Sequence, residues 1–149
     1  MDKLILALKE AFATNFQYYT KAHGFHVNIV GDDFYELHLL LEKIYDDSQD
    51  AIDTYAEHIR ALGDIAPFNS KRIKDLGEIA DSDVAPTDPM SMLQELYDDT
   101  DILIEKLKDV YDLAQPEREY GLQTFLADRL VAHRKFCWML RASLEGGED

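Results

Sequence analysis

The 149-residue chain contains one cysteine, four prolines, seven glycines and half as many basic as acidic side chains. A single cysteine excludes an intrachain disulfide framework and is typical of a reducing cytoplasm, where we expect the protein to lie. No apolar run approaches the roughly 18 residues that a transmembrane helix needs. The first residues lack both a basic segment and a small-residue cleavage site, so we expect no secretory signal.

Basic residues are scarce enough to limit the possible partners. The chain has 15 lysines and arginines against 30 acidic residues, which gives a formal net charge of −15. Such a surface repels nucleic acid and anionic membranes and attracts cations. Its length, with 46% hydrophobic and 30% charged residues, predicts one globular domain over residues 1–149.

The few glycines and prolines separate segments with helical spacing of apolar residues. Asp33 with Glu36 predicts a capping box at the start of the second segment, and Asp88 before Pro89 predicts the start of the third. A weaker amphipathic stretch predicts a minor helix in the long connection between them. The predicted long helices span about 2–30, 34–63, 89–111 and 116–146, and the minor helix spans 72–80. This pattern predicts an all-α, four-helix bundle with one long crossover, the ferritin-like arrangement.

The common catalytic motifs are missing. The sequence has no glycine-rich phosphate loop followed by lysine, no GxGxxG, no GxSxG and no HExxH. Cys137 lies between Phe136 and Trp138, which favours a buried, inert thiol over a nucleophile.

The first two predicted helices instead concentrate potential metal ligands. His38 and Glu42 are four residues apart on one face of the second helix, and so are Asp53 and Glu57. The 15 residues from His38 to Asp53 correspond to a rotation of roughly 60° and a rise of about 22 Å. The two pairs therefore point in similar directions but are too far apart to bind one metal within a chain.

Two copies of the chain would bring these pairs together. If the second helices pack antiparallel about a two-fold axis near Asp47 and Ser48, the pair His38 and Glu42 of one copy faces Asp53 and Glu57 of the other. His26, before the tight turn at Gly31, would add a nitrogen. Such ligands suit iron(II), manganese or zinc. A solvated acidic helix face with packed histidines is the alternative, and spacing alone leaves both interpretations open.

The same segments resemble the Dps mini-ferritin family. Residues 26–38 read HVNIVGDDFYELH and are similar to the signature H-W-x-x-x-G-x-x-F-x-x-L-H. Residues 53–63 read DTYAEHIRALG and are similar to D-x-x-A-E-R-x-x-x-L-G at the expected interval. Residues 127–140 resemble the last helix of the family, so the similarity covers nearly the whole chain.

This resemblance implies a ferroxidase and iron store. It implies a hollow dodecamer built from two-fold dimers, which oxidises Fe(II), preferentially with hydrogen peroxide rather than oxygen. Ferric mineral then collects inside, protecting against oxidative damage. The implied metal and catalytic ligands are His26, His38 and Glu42 from one subunit with Asp53 and Glu57 from its neighbour. Glu42 stands where many members have aspartate.

Two departures and two alternatives accompany the resemblance. Val27 replaces the tryptophan after the first ligand, so oxidation kinetics are expected to differ, and His58 replaces an arginine. His58 is either an extra ligand or a structural residue. Members that bind DNA usually use a tail rich in lysine and arginine, which is not found here, so direct DNA binding is not expected. The alternative functions are DNA compaction and a helical assembly with a structural metal site, for instance zinc, that does not turn over.

Overall fold

The computed structural model describes residues 1–145 and contains five helices in that range. The helices are α1 (Asp2–Asn28), α2 (Phe34–Ala61), α3 (Ser70–Leu76), α4 (Pro89–Ala114) and α5 (Tyr120–Glu145). Residues 1–145 include no strand, so the predicted all-α class is confirmed, with the short helix α3 in the crossover between α2 and α4. No helix in this range is both long and apolar enough to cross a membrane.

Short turns make α1 and α2 antiparallel neighbours. Gly31 has a φ of +134°, a conformation that L side chains rarely adopt, and the amide of Phe34 donates to the Gly31 carbonyl at 3.1 Å. Gly63 has a φ of +94° and ends α2, where the Asp64 amide donates to the Ile59 carbonyl at 3.2 Å. Both glycines therefore stand where the sequence predicts breaks.

The predicted capping box at α2 is wrong, whereas the predicted cap of α4 is confirmed. Asp33 is the N-cap of α2, but its side chain makes no capping hydrogen bond. Of the free amides at the start of α2, that of Phe34 is satisfied by the backbone, through the Gly31 carbonyl, rather than by a side chain. At α4 the Asp88 carboxylate accepts from the Ser91 amide at 3.3 Å and from its hydroxyl at 2.7 Å.

Two other predicted boundaries are shifted. Helix α5 begins at Tyr120 rather than at Pro116, because the chain turns through Arg118, whose φ is +59°. The minor helix spans Ser70–Leu76 rather than 72–80: the Asn69 side chain caps its start by accepting from the Arg72 amide at 3.1 Å, and Gly77 is extended at its end. The predicted end of the last helix at residues 146 and 147 lies outside the described residues.

The core lies between the four long helices. Helix α1 packs on α2, α3 and α4, and α5 packs on α4. The largest fully buried apolar side chains of the core include Phe12, Leu41, Ile44, Leu93 and Leu96. Burying this apolar surface is the main stabilising contribution in such a bundle. Because α1 and α2 run side by side, the end of one helix and the start of the other hold their side chains in direct contact.

Candidate metal centre

The turn at Gly31 brings His26 and His38 together. His26 lies in the last turn of α1, and His38 lies in the second turn of α2. Their imidazole rings are stacked, with centroids 3.7 Å apart and an interplanar angle of 16°. His26 is buried at 8% exposure, and His38 is half-buried. The structure therefore pairs two of the five predicted ligands within one chain.

Reciprocal hydrogen bonds determine the tautomer of both neutral rings. His26 Nδ1 donates to the His38 carbonyl at 2.8 Å, and His38 Nδ1 donates to the His26 carbonyl at 2.8 Å. A carbonyl oxygen only accepts, so each Nδ1 carries the proton in the neutral ring. Each Nε2 is then left with a lone pair, the form in which histidine binds a metal.

Two aromatic side chains hold the histidine pair in place. The Phe34 ring stacks on His38 with centroids 4.9 Å apart, and the Tyr45 ring meets His26 edge-on at 4.9 Å. Sequence reasoning did not assign these two residues to the site. Their spacing of four and seven residues from His38 places them on its side of α2, and this signal was available in the sequence.

The three predicted carboxylate ligands all lie on α2. Glu42 follows His38 by one turn and is half-buried, whereas Asp53 and Glu57 are exposed. The pKa of Glu57 lies above its usual value because its carboxyl hydrogen-bonds to Asp53 and faces that negative charge. These two carboxylates therefore lie close enough to repel each other, and a cation bound between them would relieve that repulsion.

The histidine pair and the exposed carboxylates form two separate groups of donors. His38 and Asp53 lie on one continuous helix, so the rise between them remains about 22 Å. Within residues 1–145 of a single chain, no three side chains of histidine, cysteine, aspartate or glutamate are grouped to hold a metal ion. A single chain thus presents two separate groups of potential ligands.

The two other candidate residues, His58 and Cys137, both pack against the fold. The ring of His58 lies 5.1 Å from the ring of Phe125, and burial lowers the pKa of His58 against the opposing charge of Glu119. Cys137 is 5% exposed, and burial is the main cause that raises the pKa of its thiol. The predicted buried position of this thiol is therefore confirmed.

Known proteins share both the sequence and the fold. The chain matches the family described as "Ferritin-like domain" over residues 5–148. It is 33% identical to general stress protein 20U of Bacillus subtilis (strain 168), over 96% of this chain and 98% of that protein. It is 28% identical to the DNA protection during starvation protein of Helicobacter pylori (strain J99), over 92% and 95% of the two chains.

A solved structure agrees with these relatives. The Dps protein of Vibrio cholerae O1, described as a member of a broad superfamily of ferritin-like diiron-carboxylate proteins, superposes with a TM-score of 0.89. The sequence identity is 31%, and the match covers 96% of this chain and 89% of that one. The chain belongs to the Dps family of ferritin-like proteins.

The Dps signature helps to interpret the surface beside the histidine pair. Val27, at the tryptophan position of the signature, is 63% exposed, and Val30 is 45% exposed. Tyr35 at 66% and Leu39 at 40% add exposed apolar surface on α2. Exposed apolar side chains of this kind often mark a surface that binds another protein chain.

Proposed function

We propose that this Dps protein is a ferroxidase and iron store, which oxidises Fe(II) at sites shared between subunits and retains the ferric product in a hollow dodecamer. The observation that carries the proposal is the reciprocal hydrogen bonding of His26 and His38. It leaves two neutral Nε2 donors side by side, with the Glu42 carboxylate one turn away on α2. Nitrogen and carboxylate ligands of this kind suit iron(II).

An antiparallel dimer would complete each site. Tyr35, Leu39, Glu42, Asp53 and Glu57 follow one another at intervals of 4, 3, 11 and 4 residues, so they share one face of α2. That face combines exposed apolar side chains with carboxylates, which is the composition expected of an interface around a metal. A two-fold axis near Asp47 and Ser48 would set Asp53 and Glu57 of the partner subunit opposite His38 and Glu42.

The ligand set supports electron transfer from iron to an oxidant. Two Fe(II) ions give two electrons to one hydrogen peroxide molecule, whose O–O bond breaks. With two protons from solvent, two Fe(III) ions and two water molecules result. Carboxylates stabilise the higher charge of Fe(III), whereas neutral imidazoles also bind Fe(II). The proposed preference for peroxide over oxygen rests on the family resemblance.

The charge of the chain supports this function better than DNA compaction. A net charge of −15 per subunit draws Fe(II) towards the assembly and repels DNA phosphates. The single cysteine, Cys137, is a free thiol. We therefore propose a cytoplasmic location, in keeping with a reducing compartment.

The decisive experiment compares two double variants of sized protein. Asp53→Ala with Glu57→Ala should slow the oxidation of Fe(II) by peroxide by more than about 100-fold, beyond the usual effect of outer-shell changes. Stopped-flow absorbance follows the ferric product. Glu105→Ala with Asp109→Ala removes an equally spaced, exposed acidic pair from α4 and should leave the rate unchanged.

Four outcomes would contradict parts of the proposal. Equal rates in both double variants would exclude Asp53 and Glu57 as ligands. Tight metal binding without oxidation by peroxide or oxygen would favour a structural site, for instance one for zinc. A particle much smaller than a dodecamer in light scattering would exclude the hollow store. Equal initial rates with peroxide and with oxygen would remove the proposed preference.

A further inference from the structure

A cavity of about 600 Å³ lies between α1, α3 and the crossover segment that follows α3. Its wall includes Phe25 of α1, Ile79 of the crossover and Met92 of α4, and all three side chains are buried. Sites for small ligands usually measure about 300–1,000 Å³ and are lined mainly by apolar side chains. The cavity therefore has the size and the apolar inner wall of a small-molecule site.

This cavity is separate from the metal centre. Gly24 and Asn28 of α1 line it, and His26 lies two residues from each of them. Two residues correspond to a rotation of about 200° around a helix, so His26 leaves α1 on nearly the opposite side. The five proposed metal ligands are not among the lining residues. A molecule in this cavity would thus be distinct from the iron of the metal centre.

Gly24 leaves room for such a molecule. Glycine is, apart from proline, the least favourable residue within a helix, yet Gly24 belongs to α1. Among residues 1–145, a Cβ added at Gly24 would meet no heavy atom within 4 Å beyond its own stretch of helix. Packing inside the chain therefore does not require a glycine here. Glycine also allows a ligand to approach a helix backbone closely, which accounts for its presence at the cavity wall.

Lys21 and Glu95 provide unused hydrogen-bonding groups beside the cavity. The Lys21 side chain is 6% exposed and lines the cavity. Its ammonium group carries three N–H donors, and its hydrogen bond within residues 1–145 goes to Asp99 at 2.7 Å. Glu95 Oε2 lies 3.8 Å from the same nitrogen and is buried without a hydrogen-bond partner in the described part of the chain. A donor and an acceptor are thus unused side by side.

A hydroxyl group would satisfy both atoms. Its oxygen accepts a hydrogen bond while its proton is donated, and a gap of 3.8 Å lets one oxygen lie within about 3 Å of each atom. An anionic group fits less well, because the Glu95 and Asp99 carboxylates lie beside Lys21 and the chain carries a charge of −15. A cationic group would be repelled by Lys21. A water molecule would also satisfy the pair, but it would leave the apolar wall uncovered.

We propose that this cavity binds a small, uncharged alcohol or phenol. The hydroxyl group of the ligand bridges Lys21 Nζ and Glu95 Oε2, and its apolar body passes over Gly24 and packs against the buried wall. Because that wall is formed by α1, α3, α4 and the crossover, the bound ligand ties the crossover to the bundle. Binding should therefore raise the Tm of the protein.

Isothermal titration calorimetry on the full-length, metal-free protein tests the ligand class. The probe is β-naphthol, a phenol that is uncharged at neutral pH, and saturable binding of one molecule per chain is expected. Its methyl ether accepts a hydrogen bond but cannot donate one, so it should bind at least about fivefold more weakly. The anion β-naphthoate should also bind more weakly than β-naphthol.

Two glycine variants form a matched pair. Gly24→Leu places a side chain in the cavity and should abolish binding of β-naphthol, whereas the helix itself tolerates leucine well. Gly121→Leu changes a glycine of α5 whose added Cβ would likewise meet nothing within 4 Å and which lies outside the cavity. This control should bind β-naphthol as the parent does. Circular dichroism checks that both variants are folded.

A crystal structure with β-naphthol does not depend on the variants, and it should place the hydroxyl oxygen between Lys21 Nζ and Glu95 Oε2. The proposal would be overturned by absence of binding to the parent in solution, by tighter binding of β-naphthoate, or by binding that survives in folded Gly24→Leu protein. Side chains of a partner subunit filling the cavity in the assembled protein would also overturn it and would assign the cavity to an interface. None of these results depends on iron oxidation.

Discussion

Lys21 holds a buried charge cluster between α1 and α4, and its removal gives a sharp test of the fold energetics. Its ammonium group lies 2.7 Å from the Asp99 carboxylate and 3.8 Å from Glu95. The Lys21 and Asp99 side chains are only 6% and 8% exposed. Substitution of Lys21 by methionine keeps the apolar stem but leaves Asp99 with no cation. Losing one partner of a buried pair costs about 3–5 kcal/mol in the free energy of unfolding.

The loss should depend on pH because Asp99 titrates. Burial raises the pKa of Asp99 above its usual value, although the hydrogen bond from Lys21 and its charge oppose this. A raised pKa in the folded state means that stability falls as the pH rises from the unfolded-state pKa through the folded-state pKa. Without Lys21 the pKa rises further. The cost of Lys21→Met is therefore full at neutral pH and shrinks in acid, where Asp99 is protonated.

Thermal unfolding at fixed protein concentration measures this loss, since assembly makes Tm depend on concentration. At pH 7 the Tm of Lys21→Met should fall by roughly 10 °C. Lys71→Met is the matched control, because Lys71 and Asp75 form an exposed pair whose loss costs under about 0.5 kcal/mol. Adding Asp99→Leu to Lys21→Met should restore most of the stability. If Lys21→Met and Lys71→Met lowered Tm by the same small amount, the argument that burial makes the Lys21 pair costly to break would be refuted.

Three further predictions follow from other contacts. A Cβ at Gly77 would lie 2.0 Å from the Gln17 Oε1 atom, which accepts a hydrogen bond from the Ile79 amide in the crossover. Gly77→Ala should therefore break this hydrogen bond and lower the free energy of unfolding by about 1–3 kcal/mol, measured as a lower urea midpoint. In a Gln17→Ala background, Gly77→Ala should lower the free energy of unfolding by less. An equal loss in both backgrounds would show that the clash with Gln17 is not its cause. Arg129→Met removes a bidentate ion pair with Asp47, whose side chain is 34% exposed and stays partly hydrated. Urea unfolding should therefore show a loss of about 2 kcal/mol in the free energy of unfolding. A charge of −15 predicts no DNA mobility shift at moderate salt without divalent metal, and a persistent shift would show that DNA binding does not depend on net charge.

The sequence predicts the long helices well because their ends have local causes. Gly31, Gly63 and Asp88 each act on the residues beside them, so α2 and the start of α4 are close to their predicted bounds. The start of α5 is less predictable, since proline at residue 116 suits both a first helical turn and a loop. The turn through Arg118 decides between them, and a left-handed arginine leaves no clear signal in the sequence.

The candidate site shows the same division between local and non-local causes. The proximity of His26 and His38 follows from a short turn and can be predicted. Their exchanged hydrogen bonds depend on the relative height of two helices to within an ångström, which residue spacing does not determine. For the same reason, the contact of Tyr45 with His23 becomes visible only in the folded chain.

If the predicted ligands of one site come from two subunits, as proposed, iron binding is coupled to assembly. If iron joins the histidine pair of one chain to Asp53 and Glu57 of the partner subunit, the metal binds the dimer more tightly than the separate chains. Linkage then requires that iron stabilise the dimer by the same free energy by which dimer formation strengthens iron binding. The hydrogen bond and the charge repulsion with Asp53 raise the pKa of Glu57, and a cation bound there in the dimer would relieve this repulsion. The acidic chain is thus suited to assemble most firmly when iron is present.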